Sequence, residues 1–364
     1  LYDQSSATWL GWVANLWTFI KYAWNQRKLT RKVESTKFRS LGDRINGILG
    51  PAPSRHDLYV QRTLLETFIG ASVDDMHRNS MNSSFWDYQS YQDKSMPLIT
   101  GGYRKLVDLL SKPLLPREVL LNQAVSKIIV PKDPDFSSTF VQVKTSTGES
   151  YEGSHVIVTV PLGVLKSGSI AFEPPLSLGK QEVIQRLGFG NVERVVMNFK
   201  KAFWRTDPSK PNNFFCVPNP ITASGMFLDV SATSGAGPGL PMSPCLFALF
   251  GVSEAKWAAQ NPDAATKRVL ADLESMFPES YEPPVATAVT SWSTSPFSRG
   301  SYPYASVDCQ PDDFVKMGEP THGGRVHFGG DACGDVHVGY VEGAMESGEA
   351  AASAILKILE GRGA

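Results

Sequence analysis

The chain has 364 residues, 42% of them hydrophobic, and a formal net charge of −1. That length sustains a large core, or two domains sharing one. The balanced charge and the lack of a long basic run point away from nucleic acid as a direct partner. Cys216, Cys245, Cys309 and Cys333 stand far apart, without a CxxC or a Cys/His cluster, which argues against a zinc site.

Residues 8–25 hold four tryptophans, but Asn15 and Lys21 interrupt the run. The stretch reads as a helix buried on most sides, not as a transmembrane span. Residues 26–90 interleave charged and apolar positions and predict helices. Pro51 and Pro53 mark a break, and Ser72-Val73-Asp74-Asp75 predicts a capped helix start.

At Met96 the pattern changes. Gly101-Gly102 begins a turn into a helix over Tyr103–Leu110. Short strands are predicted at Val119–Leu121 and Val125–Pro131. Phe140–Thr145 pairs with Glu149–Tyr151 through a Ser146-Thr147-Gly148 turn. His155–Val160 is a continuous apolar run of the fully buried kind. Further on come a helix from Leu178, a strand after Leu187 and a strand over Phe247–Val252. An amphipathic helix over Pro262–Phe277, a strand over Val285–Trp292 and a turn at Arg299-Gly300 follow. The glycine-rich stretch 231–244 reads as a linker. No strand precedes it and no helix follows, so a phosphate loop does not fit.

The C-terminus is the most informative stretch. Val326–Phe328 is strand-like, Gly329-Gly330-Asp331 breaks the strand, and a loop runs to Tyr340. A helix of small and apolar residues fills Glu342–Leu359. Free N–H groups and the positive end of that helix favour a polar ligand. Gly339, Gly343, Ala344 and Gly348 leave its first turns uncovered, so a flat ligand can lie on the backbone.

These residues resemble a known family. Phe328-x-Gly330-Asp331, followed by Gly339-Tyr-Val-x-Gly-Ala-x-x-Ser-Gly-x-x-Ala-Ala, resembles the close of the flavin-containing amine oxidases. That family includes polyamine oxidases, monoamine oxidases and lysine-specific histone demethylases. The strand–hairpin–strand succession ending in Pro161-Leu-Gly-Val-Leu165, and the stretch from Leu187 to Trp204, are similar to it as well. The resemblance covers roughly residues 90–364.

It implies a mixed α/β fold, with part of an FAD-binding Rossmann-like domain plus a substrate domain of mixed sheet and helices. The expected division is 1–95 helical substrate-domain segment, 96–165 FAD-binding, 166–319 substrate domain, and 320–364 the last FAD-binding strand and helix. It implies an FAD-dependent oxidase of a small-molecule, polyamine-like amine, passing hydride to the flavin and electrons to O2 to give H2O2. A catalytically impaired binding module and an amino-acid oxidase are the alternatives.

By the same resemblance, Tyr302 and Tyr340 match two aromatic walls flanking the substrate amine, and Arg194 stands where the family commonly has a lysine. Trp292 matches a tryptophan beside the flavin. Val125, Gly330, Asp331 and the Val341 N–H fall at cofactor-binding positions. Ser301 stands where monoamine oxidases carry the cysteine that binds flavin, so the FAD is expected to be non-covalent. Read without the resemblance, the tyrosines are ordinary core residues and Arg194 is a strand-edge ion pair.

The family's opening βαβ unit with GxGxxG is absent from this sequence. Three explanations are open: an N-terminal segment not included here, a companion chain that completes the FAD site, or loss of flavin binding.

Overall fold

A computed structural model describes residues 38–53, 62, 64–80, 102–131, 140–205, 214–216, 226–230, 244–334 and 336–361. The tryptophan-rich helix, Gly101 and the glycine-rich linker lie outside the described residues. In chain order, α1 (Leu41–Leu49), α2 (Leu64–Ile69) and α3 (Arg104–Ser111) come first. Strands β1 (Val125–Ile129), β2 (Val141–Thr145), β3 (Ser150–Gly153) and β4 (Val156–Val158) follow, then α4 (Leu162–Lys166), β5 (Ala171–Glu173) and α5 (Leu178–Arg186). Next come β6 (Gly188–Phe189), β7 (Val192–Asn198), β8 (Phe214–Cys216), β9 (Met226–Asp229) and β10 (Cys245–Gly251). The chain closes with α6 (Val252–Gln260), α7 (Pro262–Met276), β11 (Ala286–Val289), β12 (Pro303–Tyr304), α8 (Asp313–Gly318), β13 (Val326–Phe328) and α9 (Val341–Glu360).

The chain divides into two compact units. The first is Leu1–Pro97, Phe189–Ser295 and Arg299–Asp308; the second is Leu98–Gly188, Pro296–Ser298 and Cys309–Ala364.

The first unit is built on a five-stranded sheet in the order β11-β7-β10-β9-β8. All its strand pairings are antiparallel. Alternate residues of β7 and β10 (Val195, Met197, Leu246, Ala248 and Phe250) are fully buried in a core that also holds Ala255, Ala258, Ala265 and Val269 of α6 and α7. The period of two along the strands and the apolar stripe on the helices meet there. A smaller core gathers Leu41, Ile45, Val73 and Met76. Ser40 and Asp43 form a reciprocal capping box at the start of α1.

The second unit holds a four-stranded sheet, β3-β2-β1-β5, and a two-stranded parallel pair, β13-β4. The β2–β3 hairpin forms through the expected turn, with Gly148 at φ +92. Arg186 of α5 grips the fully buried Asp313 of α8 at 3.0 and 2.7 Å. Buried Lys180 donates to the Lys316, Met317 and Glu319 carbonyls at 2.6–2.8 Å, where α8 ends.

Three expectations need correction. Ser72-Val73-Asp74-Asp75 starts no helix: Glu66 accepts from Ser72 Oγ and Val73 N, which bends the chain into a turn. Val119–Leu121 is not a strand. It follows a 3-10 turn at Pro116–Glu118, and its three side chains face solvent, with no partner strand among the described residues. The His155–Val160 run yields strand only at Val156–Val158, and only Val158 of the three is buried. Its one neighbour among the described residues is β13, so the full burial of a central parallel strand is not reached.

Candidate functional site

In the second unit the C-terminal motif closes on itself. Gly330 N–H donates to Ser347 Oγ at 2.9 Å, and that hydroxyl donates back to the Gly330 carbonyl at 3.0 Å. The Asp331 carbonyl accepts from Gly339 N–H at 2.8 Å, which ties the acidic turn to the start of α9. Gly330, Asp331, Tyr340 and Val341 are thereby brought together. Val125 opens β1 in the same unit.

The glycines here have steric reasons. A Cβ on Gly329 would sit 3.3 Å from the Gly348 Cα, so strand and helix approach backbone to backbone. Gly330 has φ +144 and open space where a side chain would stand. At Tyr340, the N-cap of α9, no side chain caps the helix, so the first-turn N–H groups are not met from within the helix. A small recess with room for about one water adjoins the turn, lined in part by Val158, Val160, Phe328, Gly330, Asp331 and Cys333.

Burial pushes the Asp331 carboxyl up to about 6, while its own N–H and that of Ala332 pull it back. Burial also pushes the Cys333 thiol up to about 12. His337 pairs with Glu346 at 3.1 Å. That employs it in holding the loop.

The remaining expected residues lie in the first unit. Arg194 is an exposed position on β7, with its guanidinium carbon 5.7 Å from the Phe247 ring centre. The strand-edge ion pair expected for it is not found among the described residues. Tyr302 packs against Val192, Met226 and Leu249. Leu249 is the register partner of Arg194. Arg194 and Tyr302 therefore share the sheet face turned away from α6 and α7. Trp292, 53% exposed, sits in the turn after β11. Ser301 Oγ accepts from Val192 N–H and donates to the Val192 carbonyl, both at 2.9 Å, so its hydroxyl is held by β7. Tyr302 and Tyr340 belong to different units.

The sequence reading missed Glu193. It is fully buried and accepts from Ser293 N–H and Ser293 Oγ, both at 2.7 Å, and from Thr290 Oγ1. A signal was available: an acid at the core-facing parity of β7, two residues before Val195.

With this geometry in place, comparison with known proteins is direct. The sequence pattern of the flavin containing amine oxidoreductases matches residues 26–356. The chain belongs to that family. It is 33% identical over 270 residues to lysine-specific histone demethylase 1 homolog 3 of Arabidopsis thaliana, covering 72% of this chain and 16% of that protein. It is 30% identical over 276 residues to probable polyamine oxidase 4 of the same plant, covering 75% of this chain and 51% of that protein. The chain thus spans about half of one of these curated relatives and far less of the other. Its fold is that of the cyclohexylamine oxidase from Brevibacterium oxydans IH-35A, with a TM-score of 0.71 at 17% identity over 98% of this chain and 77% of that one.

A flavin is the cofactor this family implies, and the residues present fit one end of it. Gly330 and the uncapped start of α9 leave open backbone beside the buried Asp331 carboxyl, which already accepts from its own N–H and that of Ala332. The glycine-rich unit that would cradle a pyrophosphate is not in this sequence.

Proposed function

We propose that the chain is part of an FAD-dependent oxidase of primary or secondary amines. The observation that carries this reading is the junction of Gly330-Asp331 with the uncapped N-terminus of α9. When bound, FAD supplies the acceptor for hydride leaving the carbon beside the amine nitrogen and returns the electrons to O2, giving H2O2. Water then hydrolyses the imine to a carbonyl compound and a smaller amine or ammonia.

The chain's own residues have separate tasks in this reading. The Val341 N–H donates to a pyrimidine oxygen of the flavin, and Asp331 accepts from a ribityl hydroxyl. Val125 meets the adenine end through its backbone. Tyr340, at the N-cap of α9, presents a ring face that orients the amine and keeps water away. Ser301, tied to Val192, offers no thiol, so the cofactor is held without a covalent link. The polyamine-like substrate expected from the resemblance is one member of the amine class.

A second reading is a relative that binds but does not oxidise, favoured by Arg194 standing where the resemblance leads one to expect a lysine. A partner segment or chain that supplies the glycine-rich unit is part of the first reading. The visible spectrum of the purified protein after incubation with FAD, with an amine-driven H2O2 assay, separates them. Flavin absorption that survives desalting, and peroxide formed with an amine, support the oxidase. A protein that stays colourless even alongside a glycine-rich βαβ segment from a relative overturns it.

A further inference from the structure

In the second unit, one side chain grips both polar groups of a distant glycine. Ser347 lies on α9, 17 residues beyond Gly330 in the chain. Its hydroxyl accepts from Gly330 N–H at 2.9 Å and donates toward the Gly330 carbonyl at 3.0 Å. The hydroxyl has a single proton, and the Ala344 carbonyl at 3.1 Å competes for it. A serine inside a helix commonly gives that proton to a carbonyl one turn back. Here the Gly330 carbonyl stands just as near.

The turn needs this hold. Gly330 has φ +144 and open space where a side chain would stand, so no packing of its own fixes it. Two other glycines bring the serine within reach: a Cβ on Gly329 would meet the Gly348 Cα at 3.3 Å. The residue that follows Gly330 is the buried acid Asp331, whose carboxyl titrates at about 6. Ser347 stands less than two turns from Val341, where the uncapped N–H groups begin, about 9 Å along the axis of the same helix.

We propose that Ser347 is a positioning residue for the cofactor: it fixes Asp331 at a set distance from the open amides of α9, so that one ligand meets both. This rests on the flavin reading above. Ser347 touches no reacting atom and acts through Gly330 and Asp331. A serine that served stability alone would leave the Asp331 titration where burial puts it.

Ser347→Ala removes both bonds to Gly330, and Ser347→Thr restores a hydroxyl. Ser40→Ala, which opens the capping box of α1 in the other unit, is the control for destabilisation alone. Unfolding of the full chain by denaturant is followed from about pH 4 to about pH 7, in each background with and without Asp331→Asn, which reads the Asp331 titration. A titration kept at about 6 in wild type, Ser347→Thr and Ser40→Ala, but lowered toward about 4 in Ser347→Ala, supports the proposal. A titration unmoved in Ser347→Ala, or moved as far by Ser40→Ala, overturns it. Should Ser347→Ala fail to fold, Ser347→Cys, similar in shape and a weak donor, is read in the same way.

A second arm titrates riboflavin, which carries the ring and ribityl chain without the pyrophosphate, by fluorescence quenching. Binding weakened about 5- to 30-fold in Ser347→Ala and kept in Ser40→Ala supports both readings. Equal binding to wild type and Ser347→Ala overturns the positioning role and keeps the flavin reading. No binding to wild type, with or without a glycine-rich βαβ segment from a relative, overturns the flavin reading and the role toward a cofactor with it. A Ser347-dependent Asp331 titration would then mark a tie within the fold.

Discussion

Thr290 joins Glu193 to Arg194: its hydroxyl donates to the buried Glu193 carboxylate and accepts from the Arg194 N–H. A single threonine thus couples a residue facing the core to one facing the outer side of the sheet. It also fixes the turn that carries Trp292, because Ser293 is held by the same carboxylate.

Glu193→Ala leaves the Thr290 hydroxyl, the Ser293 hydroxyl and the Ser293 N–H without their acceptor. The expected cost is about 2–4 kcal/mol, read by denaturant unfolding. Glu193→Gln keeps one carbonyl acceptor and costs about half as much. An alanine variant as stable as wild type would show that the carboxylate is not what holds this turn.

Lys180 caps the end of α8. Burial lowers its amine to about 8, yet three carbonyls at 2.6–2.8 Å and the Phe328 ring at 4.1 Å surround it. Lys180→Met fills similar volume and orphans those carbonyls, so about 2–4 kcal/mol of stability is lost at pH 7. Thermal unfolding of the two proteins at matched concentration checks this.

Asp331 gives a pH signature. An unperturbed aspartate titrates near 3.9, and here burial raises the group to about 6. Between those values the folded chain holds a proton that the unfolded chain has released. Stability therefore falls as pH rises from about 4 to about 6 and is level above, by at most about 3 kcal/mol. Asp331→Asn removes that component. Unfolding free energies of both proteins at intervals across the window should converge at low pH and diverge toward neutrality, with the variant more stable.

Gly343 and Gly348, five residues apart on α9, should respond oppositely to alanine. A Cβ at Gly343 meets the His337 carbonyl oxygen at 2.3 Å, and backbone cannot swing aside as a side chain can. About 1–3 kcal/mol is lost there. At Gly348 nothing lies within 4 Å, and alanine should add about 0.5–1 kcal/mol by helix propensity. Two melting curves decide it.

Much of the molecule is written locally. The β2–β3 hairpin follows from its turn, α9 from its run of small and apolar residues, and β7 and β10 from their apolar alternation. The absence of the glycine-rich unit is also a fact of sequence alone. What failed locally was where neighbours decide: Val119–Leu121 finds no strand to pair with among the described residues, and Ser72 was drawn into a turn by Glu66.

Tertiary structure alone decided the partners of Glu193, 97 and 100 residues away in the chain, because a carboxylate's donors are chosen by which strands pair. The same pairing, β7 against β10 and β11, put Arg194 and Tyr302 on one face. Sequence supplies the parity of each residue on its strand; only the register between strands says whose side chain stands beside it.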